Sequence, residues 1–194
     1  MNRVFLIGDS IRQGYDRPVR EMLSGRAEVY YPRDNCRFAA YTLRHFPDWI
    51  EAEIDPATVT LIHWNCGLWD CGQYYPEKEP FTPIEFYQSL LRRIVLKMRV
   101  LYPQAKQIFA TSTPVIEARY TDGFMRLNTD IVRYNDAAKA VMAELGVAID
   151  DLHAAASTLD ESAWSPDGTH LYTPIGTKTL SEAVAKSILD ALDK

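Results

Sequence analysis

Val4-Phe5-Leu6-Ile7-Gly8-Asp9-Ser10 is the stretch that decides how the chain folds. Val4 to Ile7 is a short apolar, β-branched run, long enough for one buried strand. It stops at Gly8-Asp9-Ser10, and an amphipathic pattern begins a few residues later. A strand that ends in a glycine-bearing turn before a helix leaves its last side chains at the carboxyl edge of a sheet, where ligands bind in open α/β folds. Ser10 is thereby offered to solvent on a rigid support. A serine hydroxyl is a weak nucleophile until an adjacent base takes its proton. Near the other end of the chain, Asp167-Gly168-Thr169-His170 supplies a base in His170 and, three residues earlier, a carboxylate able to orient its second ring nitrogen. The expected chain order is serine, aspartate, histidine.

The rest of the chain repeats one unit. Residues 15–24 read as a first helix with Val19, Met22 and Leu23 inward, and 27–31 as a second strand closed by Pro32. A helix is predicted over 38–53, with Pro47 placed to kink or split it. Residues 59–64 are a third strand, followed by a long loop over 65–80. Thr82-Pro83 opens a helix to about Tyr102. Residues 107–112 form a fourth strand, 113–127 a second long loop, 128–144 a helix and 146–150 a fifth strand. A helical turn over 151–157 and a loop over 158–173 lead to a last helix capped by Thr173-Pro174. Five β-α units argue for a parallel sheet covered on both faces. The expected fold is a flavodoxin-like three-layer α/β/α domain spanning 1–194, with five parallel strands ordered 2-1-3-4-5. That order brings Ser10, Cys36 and Asn65 to neighbouring strand ends.

Composition narrows the function classes. Hydrophobic content of 47% and charged content of 24% are those of an ordinary globular protein. A net charge of −5 without any basic block argues against nucleic acid or an anionic membrane surface as partner. No apolar run approaches a membrane span. The first strand begins by residue 3, leaving no room for a signal peptide, so a cytoplasmic location is expected. Cys36, Cys66 and Cys71 are an odd number for a disulfide framework. They read as reduced thiols, with a Cys66–Cys71 disulfide or a metal site as the alternatives. Oligomeric state is left open.

Gly8-Asp9-Ser10 ending the first strand, with Asp-x-x-His just before the last helix, resembles the first and last blocks of the GDSL, or SGNH, hydrolase superfamily. The resemblance covers nearly the whole chain in layout and about four short blocks in sequence. It implies a serine esterase in which Ser10 attacks a carbonyl, His170 shuttles the proton and Asp167 holds His170, with no metal or organic cofactor. It also implies three oxyanion donors: the Ser10 N–H, a backbone N–H in the second block and an asparagine amide in the third. Asn65 fits the third, although His63 and Cys66 stand where the usual G-x-N-D has Gly and Asp. No glycine occurs between Gly25 and Gly67, so counting back from Thr42-Leu43 puts Cys36 in the second-block position, acting through its main chain.

The remaining residues have simpler readings. His63 lies within a strand and reads as a satisfied core histidine, His45 and His153 as helix-surface residues, and Asp9 as a brace of the turn. Trp64, Trp69, Tyr74, Tyr75 and Phe81 gather in or beside the third-strand loop, and Trp164 precedes Asp167 by three residues. Aromatic faces suit sugar rings and acyl chains, so Trp69, Tyr74 and Trp164 are candidate substrate contacts; self-packing of the loop or an oligomer contact is the alternative. The third-block run 65–70 resembles members associated with carbohydrate esters. The expected substrate is a small-molecule or saccharide ester, an acetylated sugar first. The alternatives are a thioesterase or lysophospholipase, a phosphohydrolase with Asp9 as nucleophile, and a catalytically degenerate flavodoxin-like binding protein.

Overall fold

The computed structural model describes residues 1–120 and 123–194. Five strands form one parallel sheet: β1 (Asn2–Ile7), β2 (Ala27–Tyr30), β3 (Leu61–Trp64), β5 (Lys106–Ala110) and β7 (Ala148–Asp150). Their order is β2-β1-β3-β5-β7, which is 2-1-3-4-5 when these five alone are counted. Val4 to Ile7 and all of β3 are buried, as parallel strands covered on both faces require. Helices α1 (Ser10–Met22) and α6 (Pro174–Leu192) pack together, while α2 (Ala39–Glu53), α3 (Ile84–Leu101) and α4 (Asn128–Leu145) pack in sequence. A short helix, α5 (Leu152–Ala156), joins α6.

The first two helices differ in detail from the sequence-based expectation. Helix α1 begins at Ser10, not residue 15, because Asp9 is its N-cap: Asp9 Oδ1 accepts the Ile11 N–H at 2.9 Å. Ile11, Tyr15 and Val19 then recur at helical spacing on its buried face. Pro47 does not split α2. Proline lacks the N–H that would bond the carbonyl four residues back, which is that of Leu43. Lys97 Nζ donates to this carbonyl at 3.2 Å from across the α2–α3 contact, and so supplies the missing donor.

The long loops are tied to each other. β4 (Gln73–Tyr74) and β6 (Phe124–Met125) form a two-stranded antiparallel sheet, too short for any hydrophobic period to reveal it. It clips the loop after β3 to the loop after β5. Residues 121–122 of the predicted 113–127 loop lie outside the described residues. The three cysteines are free and buried, so the Cys66–Cys71 disulfide is not formed. Among the described residues no helix is long and apolar enough to cross a membrane.

Candidate active site

Register brings the first and third blocks together. Ile7 pairs with Trp64, so the residues that follow, Gly8 and Asn65, leave the sheet side by side. The Asn65 N–H donates to the Ile7 carbonyl at 3.0 Å and continues the ladder one step. The Asn65 side chain then crosses Gly8 so closely that a Cβ there would stand 2.0 Å from Asn65 Oδ1. Glycine is required at position 8 by this approach. Asn65 is 4% exposed.

Ser10 occupies the first turn of α1, and its main-chain N–H makes no hydrogen bond among the described residues. Because α6 packs on α1, the loop that precedes α6 arrives over the Ser10 end of the sheet. His170 Nε2 lies 2.7 Å from Ser10 Oγ. On the opposite ring nitrogen, Nδ1 lies 2.9 Å from Asp167 Oδ2. Asp167 Oδ1 accepts the main-chain N–H groups of Thr169 (2.7 Å) and His170 (2.9 Å). Partial burial raises the Asp167 carboxyl, but the His170 main-chain N–H, its ring and the Thr169 N–H outweigh that and hold it below the usual range. Asp167 is thus an anion fixed in orientation.

The loop that carries Asp167 and His170 is anchored by the segment 116–120. The Ile116 N–H donates to the Gly168 carbonyl at 2.8 Å, Arg119 Nη1 donates to the Ser165 carbonyl at 2.9 Å, and Tyr120 Oη lies 2.7 Å from Thr169 Oγ1. Gly168 adopts φ 72°, and a Cβ would meet the Ile116 carbonyl oxygen at 2.7 Å. Tyr172 was not singled out from sequence. Its ring stacks on that of His170 at 4.6 Å between centroids, and its hydroxyl donates to the Ser10 carbonyl at 2.6 Å.

Several expected assignments change. The Cys36 N–H is spent: it donates to the Gly8 carbonyl at 3.1 Å and is not aimed at a developing oxyanion. Burial pushes the Cys36 thiol up to about 12, so it is no thiolate at neutral pH. Trp164 is 6% exposed and its Nε1 donates to the Pro114 carbonyl at 3.1 Å, which makes it a strut between loops and not a substrate contact. Trp64 is fully buried, edge-on to Phe109 at 4.8 Å. Tyr74 is exposed and packs on Phe124 at 4.5 Å, and Trp69 is half-buried in the same group of rings. His63 is a core residue, with Nε2 2.8 Å from Asp150 Oδ2. Asp9 is fully buried and caps α1, which removes it as an exposed nucleophile.

Two buried arginines also border the site. Arg12 joins the first-block and second-block turns by donating to the carbonyls of Gly8, Pro32 and Asp34 and to Asp16 Oδ2. Arg126 donates its Nε–H to the Leu68 carbonyl at 2.6 Å. Neither follows from local sequence, because arginine is read as a surface residue unless its partners are known.

No family model matches the chain. It is 24% identical over 208 residues to the GDSL esterase/lipase CPRD49 of Arabidopsis thaliana, an alignment that covers 97% of this chain and 79% of that protein. The fold is similar to that of a lipase/acylhydrolase from Enterococcus faecalis (TM-score 0.72, 16% identity, 97% and 95% of the two chains). It is also similar to that of the acetyl xylan esterase AlAXEase (TM-score 0.74, 14% identity, 96% and 99% of the two chains). At such identities the structural likeness is one of fold.

Proposed function

Since the chain belongs to the SGNH/GDSL hydrolase superfamily and is a serine ester hydrolase of that type, we propose that it removes a short acyl group, acetyl first, from a carbohydrate ester through an acyl-enzyme on Ser10. The observation that carries this reading is the relay Ser10 Oγ, His170 Nε2, His170 Nδ1, Asp167 Oδ2, with gaps of 2.7 and 2.9 Å.

In this reading Ser10 Oγ attacks the ester carbonyl as His170 Nε2 takes its proton. Asp167 holds the imidazole in the tautomer with Nδ1 protonated and stabilises the imidazolium that forms. The unused Ser10 N–H and the Asn65 side-chain amide would donate to the oxyanion. His170 returns the proton to the leaving alcohol oxygen as the C–O bond breaks. Water then attacks the acyl-enzyme, gives its proton to His170, and the acid leaves as Ser10 is restored. The choice of a carbohydrate acetyl ester is supported by the third-block resemblance and by what AlAXEase acts on. A thioesterase or lysophospholipase would use the same steps on a longer chain.

The test is kcat/KM on p-nitrophenyl esters from acetate to laurate, with Ser10→Ala as control and fluorophosphonate labelling in parallel. Activity falling with chain length and labelling that depends on Ser10 are expected. A wild type that neither labels nor turns over any ester would make this a degenerate hydrolase. A rate that rises with chain length would favour the lipid or thioester reading.

A further inference from the structure

The two buried arginines beside the site differ in how their donors are used. Arg12 is 1% exposed, and its three nitrogens all have acceptors: three carbonyls and the Asp16 carboxylate. It is a fully satisfied structural cation. Arg126 is 7% exposed, yet only its Nε–H is bonded, to the Leu68 carbonyl. Its two terminal nitrogens donate to nothing among the described residues, and it forms no ion pair with them. Withdrawing an ion from water costs several kcal/mol unless a counter-charge and hydrogen bonds replace the solvent. Arg126 has no ion-pair partner among the described residues, and its outer nitrogens are not sealed from solvent, so they are open to a ligand.

Its position relates it to the reaction. Leu68, which holds the Nε side of the guanidinium, is three residues after Asn65. The guanidinium lies over the Phe124 ring at 4.5 Å and within 6.0 Å of the Trp69 centroid, so it sits where the loop after β3 meets the loop after β5. Its charge reaches the Asp9 carboxyl beside Ser10, although burial and not Arg126 dominates there. A planar fork with its end nitrogens free matches a carboxylate, which guanidinium binds bidentately.

We propose that Arg126 is a substrate-recognition residue that binds a carboxylate carried by the ester, so that the preferred substrates are anionic. This rests on the esterase reading above and narrows it. The carboxylate could sit on the alcohol half, as in an acylated acidic sugar, or on the acyl half, as in a dicarboxylic half-ester. The chemistry at Arg126 is the same in both.

Three acyl esters of matched size separate the possibilities: 4-acetoxybenzamide as the neutral reference, 4-acetoxybenzoate with the charge on the leaving alcohol, and monophenyl succinate with the charge on the acyl group. Wild type should favour at least one anionic ester over the neutral one by about 10- to 100-fold in kcat/KM, the range for a charge-assisted hydrogen bond. The preference should shrink as salt is added. Arg126→Gln should bring the anionic-to-neutral ratio to about one whatever it does to the absolute rates, and Arg126→Lys should restore part of it. Loss of the Leu68 brace would lower all three rates together and cannot change the ratio. A wild-type ratio near one for both anionic esters, or a ratio that survives Arg126→Gln, would overturn the proposal. Turnover of none of the three would instead remove the esterase reading, and this inference with it.

Discussion

The Tyr172 hydroxyl donates to the main-chain carbonyl of Ser10 at 2.6 Å while its ring lies flat against His170, so one side chain joins Ser10 to His170. Gly14, one turn into α1, makes room for it: a Cβ there would meet the Tyr172 ring at 2.6 Å. Tyr172→Phe removes the strap and keeps the stacking, and should lower kcat about fivefold, the worth of one ordinary hydrogen bond. Tyr172→Ala and Gly14→Ala should both cost more, in kcat and not KM, because each frees His170. A Tyr172→Ala enzyme with wild-type kcat would show that the relay is held elsewhere.

Asp167 fixes the tautomer of His170 by accepting from Nδ1. Asp167→Asn turns an amide N–H or a neutral oxygen toward that nitrogen and should lower kcat by roughly 10³–10⁴, with the fold unchanged by circular dichroism. The carboxyl is held below its ordinary value, so its contribution to stability is present above that value and is lost only as pH falls through the lower folded one. The carboxyl therefore stays ionised between pH 5 and pH 8, and Asp167→Asn should leave the pH dependence of the melting temperature over that range unchanged.

Cys36 and Asn65 separate a spent main-chain donor from a side-chain amide, beside the buried Asp9 carboxyl, that the proposed mechanism assigns to the oxyanion. Since the Cys36 N–H is bonded to the Gly8 carbonyl and its thiol stays protonated, Cys36→Ala should keep activity within a few-fold. Asn65→Ala deletes a side-chain amide and should cost roughly 10²–10³ in kcat, as loss of one oxyanion contact does. Equal losses in steady-state kinetics would mean that the second-block turn takes part directly.

Asp70 joins the third-block loop to the start of α2: both its oxygens accept the Ala39 N–H at 3.1 Å. Burial raises its carboxyl to about 7, against the pull of the Thr82 hydroxyl and the Ala39 N–H. A raised folded value means stability is fully present below the ordinary value near 3.8 and is lost as pH rises through about 7. Buried Asp9, raised by desolvation, acts in the same direction. The wild-type melting temperature should fall between pH 5 and pH 8, by roughly 2–4 °C for each kcal/mol lost. Asp70→Asn, which cannot ionise, should flatten that slope. An unchanged slope by calorimetry would place the titration elsewhere.

What was legible in the sequence is what neighbours along the chain decide. Apolar β-branched runs between helical periods announce a parallel sheet, and β-α repetition limits its strand order. Gly8-Asp9-Ser10 and Asp167-x-x-His170 are turns whose geometry is carried by a few adjacent residues, so Ser10, Asp167 and His170 stood out as candidates before any coordinates, as Asn65 did at the end of the third strand. Tertiary structure alone decided where each hydrogen bond goes. The Cys36 N–H is taken by Gly8 because β1 and the second-block turn meet there, across 28 residues of chain. Trp164 was a candidate substrate contact, but the loop after β5 closes over it through Pro114 and Arg119. Nothing in the sequence tells Arg12 from Arg126, whereas tertiary packing makes one a satisfied staple and leaves the other with its outer nitrogens unbonded among the described residues. Periodicity reports which face of an element is apolar. It carries no information on which distant carbonyl or carboxylate will arrive to use a given donor, and that allocation defines the site.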